Sequence, residues 1–201
     1  MDLSGQELHV VAFLSSAKDT LDRANSLISL AETNRKEAGT LAACATVILA
    51  TALEQGVKTK FSEAAQNSAV EDDVHVSETK ASEYDDSTIW WRVQQLPSVL
   101  SGGEFRLLHN HNSTIALREL IRTRNSLVHV AEPALHLIGP SDQIKVEEDG
   151  IRVTFFQPLN PWRRVKLEQA KTFQQAIEAY FGEVLFPESG TIKAGSIIAR
   201  R

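Results

Sequence analysis

The chain has 201 residues, 42% of them apolar, and a formal net charge of −5, which suffices for the core of one domain and excludes two large domains or a wholly disordered chain. A single cysteine, Cys44, excludes an internal disulfide and a cysteine-based zinc site. The start, Met1-Asp2-Leu3-Ser4, has no basic lead, and the longest nearly apolar run, Leu41 to Leu53, is short and threonine-interrupted, so a soluble, cytoplasmic protein without metal, cofactor or membrane partner is expected.

Leu14, Ala17, Leu21, Ala24, Ile28 and Ala31 recur at steps of three and four, the period of a helix with one buried stripe. A first helix of about thirty residues follows. Gly39 suits a left-handed C-terminal cap and Thr40 an N-terminal one, so the chain is expected to turn at Ala38-Gly39-Thr40. Leu41 to Phe61 then returns as an apolar, alanine-rich and central helix.

From about residue 68 to 86 the chain is polar, acidic and aperiodic, as a solvated loop is. Glu71 to Asp86 holds seven acids against one lysine, so this stretch carries −6 and leaves the rest of the chain at +1. The body of the protein is therefore no polyanion. Ser87 is placed to cap a short helix bearing Ile89, Trp90, Val93 and Leu96 that ends near Pro97. Gly102-Gly103 and His109-Asn110-His111-Asn112 read as loop, after which Ser113 or Thr114 caps another helix that stops before Pro133.

Residues 144–156 read as a β-hairpin, two β-branched runs around Glu148-Asp149-Gly150. Val165, Gln169, Phe173, Ile177 and Tyr180 outline a last amphipathic helix, and residues 187–201 a flexible tail. The expected fold is mainly α: one domain over residues 1–186, a four- to five-helix bundle with a small hairpin inserted before the last helix.

The chemistry concentrates in Arg124-Asn125-Ser126-Leu127-Val128-His129. Arg118, Arg122, Asn125 and His129 follow steps of four, three and four, so two guanidiniums, an amide and an imidazole share one helical face. Arg124 falls instead on the stripe of Leu117, Leu120, Ile121 and Val128 and requires an acid or carbonyl partner there. Between Glu104 and His129 four arginines face two glutamates, a modest attraction for phosphate. A structural ion pair for Arg124 and a helix-terminal cation for His129 are the bland alternatives. His109 and His111 lack the further ligands a zinc site needs. Trp90-Trp91 offers stacking surface for bases, although one indole on an apolar stripe is more often core.

Arg-Asn followed by His after an amphipathic lead-in resembles the Arg-x4-6-His motif of the HEPN superfamily, of the RiboL-PSP or MAE type. Ala50-Thr51-Ala52-Leu53-Glu54 is similar to the small-residue, Leu-Glu pattern on the second helix of many such domains, and the likeness runs from about Leu8 to His129. Val130 departs from the glycine or arginine of many relatives. The resemblance implies a bundle that forms a homodimer through the motif helix, and a metal-independent endoribonuclease cutting single-stranded RNA. It further implies a toxin or phage-defence effector with an antitoxin or defence-system partner. His129 then transfers protons, Arg124 stabilises phosphate charge and Asn125 orients them. Arg118 and Arg122 bind RNA, and Glu54 partners the motif arginine. The alternative within the same family is a catalytically idle module that binds RNA or a partner protein. A nucleotidyltransferase-coupled toxin, blocked by modification of a tyrosine near the motif, fits less well, because the nearest tyrosines are Tyr84 and Tyr180.

Overall fold

A computed structural model describes residues 4–70, 88–128, 143–148, 151–156 and 165–201, with side chains over 16–64, 88–128 and 165–201. The chain is mainly helical. Helix α1 (Ser4–Thr33) and helix α2 (Ala38–Val70) form a long hairpin, followed by α3 (Ile89–Leu100), strand β1 (Phe105–Leu107) and α4 (Asn112–Val128). Strands β2 (Gln143–Glu148) and β3 (Ile151–Phe156), helix α5 (Leu167–Tyr180), a π-helical turn (Phe181–Leu185) and strand β4 (Ile198–Arg200) complete the order.

The predicted stripe of α1 is the buried one, Ala17, Leu21, Ala24, Ile28 and Ala31. Its alanines let α2 approach closely and antiparallel, so that Thr20 Oγ1 donates to Gln55 Oε1 at 3.1 Å and also sits 2.7 Å from Ser16 O. The turn lies earlier than expected. Gly39 and Thr40 are already helical, and the chain reverses over Asn34–Glu37, where Glu37 N donates to Asn34 O and Leu41 N to Glu37 O.

Helix α2 packs against α1, α3, α4 and α5, which is why alanine and leucine occupy so much of its circumference. Thr46 is buried, but its hydroxyl returns to Ala42 O at 2.8 Å, so the position costs no unpaired donor. Over 38–64 this helix is long and apolar enough to cross a membrane by composition, and 56% of its most apolar window is buried within the fold. It runs to Val70, three residues into the stretch expected as loop; the acidic segment beyond lies outside the described residues.

Helix α3 is capped by Thr88, not Ser87, whose hydroxyl accepts from Trp91 N. It also passes through Pro97 to Leu100 instead of ending there. Proline has no N–H for the carbonyl four residues back. The buried Tyr180 hydroxyl, from α5, donates to that carbonyl, Val93 O, at 2.9 Å.

The β-hairpin is present as antiparallel β2 and β3, with Glu148 paired to Ile151 in register. The end of the segment expected as a tail over 187–201 packs onto the body of the fold. Strand β4 pairs antiparallel with β1, Leu107 facing Ile198, and Ile197 and Ile198 are buried in the core. Glu183, in the π-helical turn, accepts from Ser196 N at 2.9 Å and Ile197 N at 3.1 Å. A Cβ on Gly195 would lie 2.3 Å from that carboxylate, so the close approach depends on glycine.

Candidate functional site

The motif lies on the last turns of α4. His111, not Ser113 or Thr114, holds the N-cap position: its carbonyl accepts from Ile115 N at 3.0 Å and its Nδ1 from Ser113 N at 3.3 Å. Thr114, Ala116, Leu117, Leu120, Ile121 and Leu127 are buried against α2 and α5. Val128, assigned to that stripe from its position, is instead 47% exposed, and Leu127 takes the buried place.

Arg118, Arg122 and Asn125 are all exposed on the opposite face. The Arg118 guanidinium lies 5.9 Å from the centroid of the half-buried Trp90 ring on α3, at the limit of a cation–π contact. Arg122 pairs with Glu119 one turn back, 2.7 Å apart.

Arg124 starts from the buried stripe yet its side chain remains 29% exposed. Its long stem carries the guanidinium outward. There Nη1 donates to Asn125 Oδ1 at 3.1 Å, and Nη2 lies 3.8 Å from Glu54 Oε2 on α2. Glu54 is not a deeply buried acid awaiting one partner: its side chain is 33% exposed and accepts from Lys58 Nζ at 2.9 Å. Lys58 was legible as a contributor, since Glu54 and Lys58 stand four residues apart on one helix.

Comparisons with models of known protein families, with curated proteins and with solved structures give no match.

The described residues thus bring together Arg124, Asn125 and Glu54, and place Arg122 and Arg118 one and two turns before Asn125 on the exposed face. His129 lies outside them. His109 and His111, the other histidines near the motif, are engaged locally, His109 Nδ1 standing 3.2 Å from Gln94 Nε2. Trp91 stacks on Phe61 with ring centroids 6.5 Å apart, and the Arg118 guanidinium stands against Trp90.

Proposed function

We propose that the protein is a metal-independent endoribonuclease of HEPN type that cuts single-stranded RNA, two copies lining one cleft with Arg124, Asn125 and His129. The observation that carries this reading is the position of Arg124. A residue whose helical phase points inward delivers its guanidinium to the surface, beside the amide of Asn125 and five residues before His129 in the sequence. A merely solubilising arginine needs no such route, and Arg118 and Arg122 add charge along the same helix.

In this mechanism the His129 imidazole of one copy takes the proton of a ribose 2′-hydroxyl, and the 2′-oxygen attacks the adjacent phosphorus. The bond to the 5′-oxygen breaks as the partner's His129, in its protonated form, gives that oxygen a proton. Arg124 compensates the charge that builds on the phosphorane. One chain supplies one motif imidazole, so a symmetric pair is the simplest way to provide base and acid together. The biological setting that goes with this chemistry is a toxin or phage-defence effector.

The second reading, an idle module that binds RNA or a partner protein, draws support from the same contacts, because Arg124 already has Asn125 and Glu54 as neighbours within its own chain. Incubation of purified protein with single-stranded RNA in EDTA separates the two. Cleavage is expected, and His129→Ala should lower its rate by roughly 10²- to 10⁴-fold, the usual contribution of a positioned proton-transfer group. Undiminished cleavage by that variant rules the assignment out, and no cleavage by the wild type favours the idle module.

A further inference from the structure

A cleft of about 440 Å³ opens where the β1/β4 pair meets α3, and it is lined by Gln94, Ser98, Arg106, His109 and Arg201 among others. Three separate parts of the chain converge there. Gln94 and Ser98 stand one turn apart on α3, Arg106 lies on β1, and Arg201 follows β4. The ladder fixes the two arginines: Arg106 faces Ala199, and Arg201 N donates to Glu104 O at 3.0 Å, extending the pairing by one residue. Their Cα atoms are thereby diagonal neighbours, about 7–8 Å apart.

Both arginines line the cleft, and an anion bound between their guanidiniums would offset the repulsion of their like charges. The carboxylate at this edge, Glu104, is engaged by Arg200, and among the described residues no acid pairs with Arg106 or Arg201. Arg201 Nη2 donates to Ser98 Oγ at 3.2 Å, which orients the guanidinium and leaves its other N–H groups to the cleft. Gln94 Nε2 stands 3.2 Å from His109 Nδ1, which holds the two side chains together at the cleft.

We propose that this cleft binds a phosphate group, held by the forks of Arg106 and Arg201 with His109 and Gln94 beside them. Planar guanidinium forks match phosphate oxygens two at a time. The volume also admits a sugar attached to the phosphate, so the group comes either as a nucleotide or as part of an RNA strand. The proposal stands apart from the nuclease reading, since it uses none of Arg124, Asn125 and His129.

The test is binding to the full chain carrying His129→Ala, so that cleavage does not intervene, with three probes: inorganic phosphate, uridine 5′-monophosphate and a short oligouridylate. Tightest binding of the monophosphate identifies a nucleotide site, and tightest binding of the oligomer identifies a strand phosphate. In either case Arg106→Gln with Arg201→Gln should weaken the preferred probe at least tenfold, and lower the salt dependence of oligomer binding by about one unit of slope per lost phosphate contact. Gln94→Glu, nearly isosteric, brings a carboxylate to the same cleft and should weaken binding similarly, which decides the matter should the double variant fold poorly. Equal binding of each probe by the His129→Ala protein with and without Gln94→Glu, or no binding of any probe by the His129→Ala protein, overturns the proposal.

Discussion

Arg124 illustrates how one side chain serves two surroundings. Its backbone belongs to the buried stripe of α4, but its head is partly solvated and shares Glu54 with Lys58. Removing it strands no deeply buried acid, because Glu54 keeps Lys58 and water. Arg124→Ala is therefore expected to cost at most about 1 kcal/mol, the range of partly exposed ion pairs, while abolishing cleavage; a loss of several kcal/mol in urea unfolding would contradict this. Tyr180 is the opposite case. Burial holds its hydroxyl well above the ordinary value of 10.0, so the unfolded chain gives up this proton first. The stabilisation is complete below about pH 10 and declines as pH rises above it. Tyr180→Phe should cost about 1–3 kcal/mol by leaving the Val93 carbonyl unpaired, and should flatten the alkaline decline in unfolding free energy. A variant as stable as wild type with the same alkaline slope would show that Tyr180 carries neither effect.

The elements depend on one another through such single contacts. Helix α3 continues past Pro97 because α5 supplies the hydrogen bond that proline removes. Strand β4 is ordered because the π-helical turn presents Glu183 to Ser196 and Ile197, and because Leu108 N donates to Ile197 O at 2.8 Å. At Gly56, a Cβ would lie 2.7 Å from Leu185 Cδ1, so α2 and that turn meet where the helix lacks a side chain. Glu183→Ala should cost about 1–3 kcal/mol, since two amides lose a charged acceptor. Amide hydrogen exchange over residues 196–201 should accelerate while that of the α1/α2 hairpin does not. Unchanged exchange at Ser196 and Ile197 would mean that β4 pairing alone retains the segment.

At the scale of the whole molecule, the proposed dimer places α4 at the seam. Ile115 is 49% exposed and stands three and seven residues before Arg118 and Arg122 on the same polar face. Covering its exposed half in a partner would contribute about 0.7–1.5 kcal/mol per copy. Ile115→Glu should raise the dimer dissociation constant at least tenfold by equilibrium sedimentation; a monomeric, active wild type at micromolar concentration would refute the arrangement. The acidic segment Glu71 to Asp86 lies outside the described residues and carries −6, a charge that repels phosphate only if it stands near this surface. Replacing it with a short Gly-Ser linker should tighten RNA binding at low ionic strength, where repulsion extends beyond the ~8 Å of physiological salt. Equal affinity of both proteins at low salt would make the segment a remote tether.

The helical class and the hairpin were legible because their signals are periodic and local: the steps of three and four in α1, the apolar circumference of α2, the Asp149-Gly150 pair between β-branched runs, and the stripe of α5. The amphipathic phase of α4 likewise separated exposed Arg118, Arg122 and Asn125 from buried Leu117, Leu120 and Ile121. Other features depended on partners distant in the chain. Pro97 reads as a stop until Tyr180 supplies the missing bond, and residues 187–201 read as tail until β1 and Glu183 hold them. Arg106 and Arg201 share a cleft only because their strands pair antiparallel. Local periodicity is set by steric and hydrophobic preferences within a few residues, whereas the satisfaction of a lone carbonyl, a strand edge or two nearby guanidiniums is decided where distant segments meet.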